Sequence, residues 1–202
     1  MKIIFASGNE DKMREIREIM AGSPYEIFSM KEAGIDPEIE ENGKTFEENA
    51  LIKARAVQGL AHDAIVLADD SGLEVDAMDR APGIYSARYM GRDCPYEVKN
   101  RHILDRLAGL SGQDRTARFV CAIAAVFPDG EEVVIRKTME GYIGEKMSGE
   151  NGFGYDPIFL PEGYAVSSAE LSAKEKNRIS HRGKALRAMR EKLVEYASAH
   201  RK

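Results

Sequence analysis

The stretch Ala68–Asp76, ADDSGLEVD, restricts what this chain can fold into more than any other part of it. A short apolar run, Ala64 to Ala68, leads into it and stops at two carboxylates, a hydroxyl and a glycine, and apolar residues resume at Leu73 and Val75. If the run is a buried strand ending at Ala68, Asp69 and Asp70 emerge at its end and point to opposite faces, because strand side chains alternate. Acids at the mouth of a core strand cost free energy unless a cation or a donor meets them, so the stretch points to a metal. The same residues also suit an Asp-Ser-Gly turn between two strands, with both acids in solvent.

Before that stretch, Lys2 to Ala6 reads as a buried strand running into Ser7-Gly8-Asn9 and a helix from about Asp11 to Met20. Met13, Ile16, Ile19 and Met20 give that helix one apolar face. Strand, small polar turn, helix is a geometry that aims unpaired backbone N–H groups and a helix dipole at an anion. Lys12 stands at the unfavourable end of that dipole, which suits either a nearby phosphate or a lysine in solvent. No GxxxxGK[ST] is present, so the turn is not a Walker loop. Tyr25 to Ser29 reads as a second strand, followed by an acidic connection, Asp36 to Glu41. Thr45 and Glu48 predict a capping box opening a helix that buries Phe46, Ala50, Leu51, Ala54 and Val57. Asn49 and Lys53 share a more polar face of it, where most residues are simply solvated.

Beyond the acid pair, Pro95 opens a helix over about Tyr96–Leu107. Ala117 to Phe127 and Glu132 to Thr138 read as a hairpin about Pro128-Asp129-Gly130, with a further short strand within Gly141–Lys146. Ser148 to Phe159 sets three glycines among aromatics, which suits neither a helix nor a central strand. Such a loop lets a backbone approach a ligand and offers aromatic faces for a base, or else its aromatics plug the core. Ser172 and Glu175 predict another capping box, and Ala185, Leu186, Met189, Leu193 and Tyr196 the stripe of a last helix.

With 202 residues, the chain makes one large domain or two small lobes sharing one continuous architecture, since neither repeats nor linker composition break it. Its net charge of −5 supplies no basic field for nucleic acid, so positive charge for a polyanion must be local or come from a divalent cation. Cys94 and Cys121 form no CxxC pair, which points to a reducing compartment. The apolar start is too short for a signal peptide, and no apolar stretch nears the roughly 20 residues of a membrane span. A cytoplasmic protein without a membrane partner is expected. Oxygen ligands such as Asp70 and Glu41 favour Mg²⁺ over zinc. An anion-ready turn, an acid pair, a glycine-aromatic loop and a cluster of Lys176, His181 and Arg182 together suit one ligand, a nucleoside triphosphate.

Seven blocks in one order carry a resemblance: SGNEDK, ENGKTFEENALIKA, ADDSGLEVD, APGIYSAR, ARFVCA, GFGYDPIF and EKNRISHRGKAL. In them the chain resembles the inosine triphosphate pyrophosphatase family. The resemblance implies an elongated two-lobed α/β fold, a central mixed twisted sheet flanked by helices, an active-site cleft between the lobes, and a homodimer. It implies hydrolysis of ITP, dITP and XTP to the monophosphate and pyrophosphate with Mg²⁺. Ser7, Gly8, Asn9 and Lys12, with Glu10 and Asp11 in the same segment, would lie along the triphosphate. Asp70 would be the proton acceptor and, with Glu41, hold the metal, and Ser71 would touch substrate. Phe153, Gly154, Tyr155 and Asp156 would wall the base and sugar, and Lys176, His181 and Arg182 would close the pocket. Lys53 and Asp69 would support. The alternatives are a pyrimidine or modified-nucleotide pyrophosphatase of the same fold, and a nucleotide sensor without turnover.

Overall fold

The computed structural model describes residues 2–200. It has the expected α/β class: a mixed six-stranded sheet with helices against it. The strands are β1 (Lys2–Phe5), β2 (Glu26–Ser29), β3 (Ile65–Val75), β4 (Thr116–Val126), β5 (Glu132–Ile143) and β6 (Phe159–Pro161), in the order β2-β1-β3-β4-β5-β6. The helices are α1 (Glu10–Met20), α2 (Phe46–Gln58), α3 (Tyr96–Arg106), α4 (Ala173–Ile179) and α5 (His181–Ala199). β1 runs parallel to both β2 and β3, with Phe5 opposite Leu67, while β5 and β6 are antiparallel.

The chain divides into two compact units. The first takes in the chain up to Asp70, Cys121–Lys137 and the chain from Arg182, and the second takes in Ser71–Val120 and Thr138–His181. In the first, residues two apart on adjacent strands (Ile3 and Phe5, Ile65 and Leu67, Cys121, Ile123 and Ala125) share a core with Met13, Ile16 and Met20 of α1. Ala185, Leu186, Met189 and Leu193 of α5 complete it, as the stripe predicts. In the second unit Leu73, Val75, Phe119, Met139, Ile143, Ile158 and Phe159 pack with Ile103 of α3 and with Leu107 just beyond its end.

Three local expectations change. β3 does not stop at Ala68. It runs through Asp69, Asp70 and Ser71 to Val75, because partners meet both acids and neither has to escape to solvent. β5 is one strand where two pieces were expected. The capping boxes form only by half: Thr45 and Ser172 accept from the N–H groups of Glu48 and Glu175. The Glu48 carboxylate instead accepts from Lys44 N–H, and that of Glu175 from Tyr164 and Arg178. The reciprocal box lies at Ser167 and Glu170.

Candidate active site

Strand periodicity places the two acids. Asp69 continues the series Ile65, Leu67 and so points to the core face where α1 and α5 pack, whereas Asp70 points to the other face, toward α2. Asp69 is 2% exposed. Lys12 Nζ lies 3.0 Å and Arg182 Nη2 3.4 Å from its Oδ2, and the other side of Arg182 pairs with Glu15. Lys12 is therefore half-buried and ion-paired instead of standing in solvent. Burial alone would raise the pKa of Asp69, but the charges of Lys12, Arg182 and Lys53 outweigh it and hold the carboxyl well below the usual range.

Asp70 has different company. Its Oδ1 lies 3.4 Å from Lys53 Nζ, which also lies 3.2 Å from Glu41 Oε2, and its Oδ2 accepts from Asn49 Nδ2 at 3.2 Å. Burial pushes its pKa above the ordinary value; Lys53 and Lys12 pull against that, and Asp69 and Glu41 add to it. Burial works against the Lys53 ammonium, yet Asp70, Asp69 and Glu41 together raise its pKa, so it stays charged. One ammonium thus stands where two carboxylate oxygens converge.

Among the described residues no group of three or more His, Cys, Asp or Glu side chains could hold a metal by itself. Two carboxylates suit Mg²⁺, which keeps waters and takes one or two carboxylates together with substrate phosphates. They would not suit zinc, which wants histidine or cysteine.

The turn before α1 is built from its own side chains. Asn9 caps the helix by accepting from Lys12 N–H at 3.0 Å, and Ser7 Oγ accepts from Asn9 N–H at 3.2 Å. Glu10 and Asp11 sit in the first turn, where acids suit the helix dipole, and Asp11 pairs with Arg14 at 2.8 Å. Gly8 is exposed, and a Cβ added there would meet nothing within 4 Å. Nothing in the protein's own packing calls for glycine at that position, and close approach of a ligand to the backbone would.

In the second unit the glycine-aromatic loop is organised by a carboxylate. Asp156, 3% exposed, accepts from Lys176 Nζ at 2.6 Å and from Phe153 N–H at 2.8 Å. Gly152 has φ 73°, and a Cβ there would fall 2.3 Å from Asp156 Oδ2, so glycine is required on both counts. Lys176 Nζ stands 4.9 Å from the Phe153 ring centroid, and that ring is partly exposed. Tyr155 turns the other way: its ring lies in the core and its hydroxyl donates to Ser86 O at 2.8 Å, burial raising its pKa. Gly154, at φ 70°, has its carbonyl held by Asn100 Nδ2 at 3.1 Å. His181 stacks on Phe119, centroids 4.9 Å apart and planes 10° apart. Ser71 is half-buried on β3.

The structure therefore groups Glu41, Lys53 and Asp70; Lys12, Asp69 and Arg182; and Phe153, Asp156 and Lys176. Sequence reasoning missed Glu15, Asn49 and Asn100. Asn49, read as one of many solvated helix residues, is wholly buried. Its spacing of four from Lys53 was the available signal. Glu15, an acid beside Ile16 on the buried flank of α1, offered a weaker one.

The Ham1 family model matches residues 3–192 of this chain. The dITP/XTP pyrophosphatase of Caldanaerobacter subterraneus subsp. tengcongensis is 46% identical over 195 residues, covering 96% of each chain. The solved structure of the Staphylococcus aureus Ham1 protein is similar with a TM-score of 0.86 at 40% identity, over 97% of this chain and 100% of that one. A Mycobacterium abscessus structure, described as a nucleoside-triphosphatase / dITP/XTP pyrophosphatase, gives 0.75 at 41% identity, over 94% and 98%.

Proposed function

This chain belongs to the Ham1 family, and from that premise we propose that it hydrolyses non-canonical purine nucleoside triphosphates (ITP, dITP and XTP) to the monophosphate and pyrophosphate. The observation that carries the reading is the convergence of Asp70 Oδ1 and Glu41 Oε2 on one ammonium, that of Lys53. Asp70 and Glu41 would hold Mg²⁺, which when bound neutralises phosphate charge and acidifies water. Water attacks the α-phosphorus, its proton passes to Asp70, and the bond from the α-phosphorus to the oxygen bridging it to the β-phosphate breaks. Asp70 needs no raised pKa for that step, since the metal would already acidify the water. Lys12 and the N–H groups at the start of α1 face the anionic part of the substrate, with Ser7, Gly8, Asn9 and Ser71 along it. Phosphoryl-type transfer asks the protein mostly for positioning and charge neutralisation, which these groups supply.

Phe153 offers the base a ring face, and Asp156 fixes that ring's backbone through its bond to Phe153 N–H. Donors that meet a 6-oxo group would be left unpaired by the 6-amino group of adenine, a strong basis for discrimination. We place the protein in the cytoplasm, a reading that its two free thiols, Cys94 and Cys121, support. We take the assembly to be a homodimer, which light scattering after size exclusion tests.

The deciding experiment is a panel of purine, pyrimidine and modified nucleoside triphosphates with Mg²⁺, reading phosphate after added inorganic pyrophosphatase. ITP, dITP and XTP are expected to be cleaved far faster than ATP. Equal turnover of ATP would defeat the base selection, and tight ITP binding with no product would make the protein a sensor.

A further inference from the structure

We propose that Asn49 is a positioning residue that sets the register between Asp70 and Glu41, which stand on different parts of the first unit. The inference rests on the reading of those two acids as metal-facing. Asn49 lies at the fourth position of α2 and is wholly buried. Its carboxamide is engaged at both ends: Nδ2 donates to Asp70 Oδ2 at 3.2 Å and Oδ1 accepts from Gly43 N–H at 2.9 Å. The carboxylate can only accept and the backbone N–H can only donate, so one orientation of the amide satisfies both and the flipped one satisfies neither.

Each bond fixes one of the acids. The bond to Asp70 takes up Oδ2 and leaves Oδ1 toward Lys53. The bond to Gly43 pins the loop two residues from Glu41, whose Oε2 faces the same ammonium. Gly43 makes the approach feasible, since a Cβ there would come 2.6 Å from Asn49 Oδ1 and 2.8 Å from Glu48 Cβ. The side-chain chemistry is selective too. Lysine or arginine could bind Asp70 but would add positive charge beside a cation site. Serine is too short to span both partners, and glutamine is one methylene too long to hold both at these distances. A neutral amide orients the acids without competing with the metal, and loss of such a partner typically costs about 10–100-fold in metal affinity or activity.

The test uses the full chain with Mn²⁺ alone, free Mn²⁺ being followed by electron paramagnetic resonance into the millimolar range. The variants are Asn49→Ala, Asn49→Leu, Gly43→Ala and Asp70→Asn, each checked for folding by circular dichroism. Asn49→Ala and Asn49→Leu are expected to raise the Mn²⁺ dissociation constant about 10–100-fold. Gly43→Ala should move it the same way, and combined with Asn49→Ala by less than the sum, because both act through one contact. In turnover, the Mg²⁺ concentration for half-activation should rise more than kcat falls. Should the Asn49 variants not fold, Gly43→Ala, which keeps the amide and displaces the loop, decides alone. Mn²⁺ binding within twofold of wild type in the folded variants, with binding lost in Asp70→Asn, overturns the role of Asn49. Wild-type binding in Asp70→Asn overturns the reading of the acids themselves.

Discussion

Around Asp69, two cations close on the carboxylate from α1 and α5, and a second acid, Glu15, takes the remaining side of Arg182. Around Asp70, one cation is shared with Glu41 and a neutral amide takes the other carboxylate oxygen. The first set is balanced, with two acids against Lys12 and Arg182. The second, with two acids against Lys53, keeps one negative charge in surplus. The two carboxyls shift in opposite directions, Asp69 held below the ordinary range by its cations and Asp70 pushed above its ordinary value by burial. A balanced buried cluster holds its own parts in place, whereas an unbalanced one stays costly until a cation arrives. On the proposed reading, adjacent residues of one type are given a structural task and a chemical one by the faces of a single strand.

The largest expected effect separates the two tasks. Asp70→Asn should lower kcat by roughly 10²–10⁴-fold, the usual contribution of a positioned base, with a smaller loss of stability than at Asp69, since it removes a charge that burial disfavours although its NH₂ must face a donor, Asn49 Nδ2 or Lys53 Nζ. Asp69→Asn should do the reverse in kind. It removes the negative charge that both Lys12 and Arg182 face, and breaking one partner out of a buried charge set costs about 3–5 kcal/mol. Urea titration of both variants beside wild type reads this directly. If Asp70→Asn is the less stable of the two, the contrast between a closed and an open cluster is wrong.

Acid titration sharpens the same contrast. The Asp69 pKa is depressed by folding, so its stabilisation is complete above the unfolded value of about 3.9 and is lost as pH falls toward the folded value. Asp70 is raised by folding and has the opposite sign: ionisation costs stability as pH rises through about 4 toward the folded value. The deficit of Asp69→Asn should therefore shrink on acidification, by at most about 1.4 kcal/mol per pH unit. Any advantage of Asp70→Asn should vanish below pH 4 or so. Urea unfolding at a series of pH values checks both signs at once.

How much of this was legible beforehand differed by scale. Unbroken apolar runs disclosed β1 and β4, which are buried on both faces, and helical spacing disclosed α1, α2 and the stripe of α5, each with one apolar, buried face. Neither signal showed that β3 runs through its acids, because the residues that make a charged strand tolerable are far away in sequence: Lys12, Lys53 and Arg182. Long-range pairing also hid Asn49, whose partners are Gly43 and Asp70, and drew Tyr155 into the core through a carbonyl at Ser86. The glycine-aromatic loop was recognisable as a loop, since Gly152 and Gly154 take positive φ. That a buried Asp156–Lys176 pair organises it required the fold.

The smallest predicted effect tests whether burial, and not pairing as such, gives Asp69 its weight. Arg55 and Glu132 form a two-pronged ion pair in the same unit, Nε to Oε1 at 2.7 Å and Nη2 to Oε2 at 2.6 Å, better in geometry than either contact of Asp69. Its side chains are 57% and 32% exposed, and the Arg55 hydrogen bonds lower the Glu132 pKa. Water screens such a pair and ordering two side chains offsets much of the attraction, so Glu132→Gln should cost only about 0.2–1 kcal/mol. That cost should shrink further in 1 M salt, where screening acts within about 3 Å, while the deficit of Asp69→Asn should hardly change. A loss at Glu132 approaching that at Asp69 would mean that ion-pair geometry sets the energy, and the balance of buried charge around β3 would lose its explanatory place.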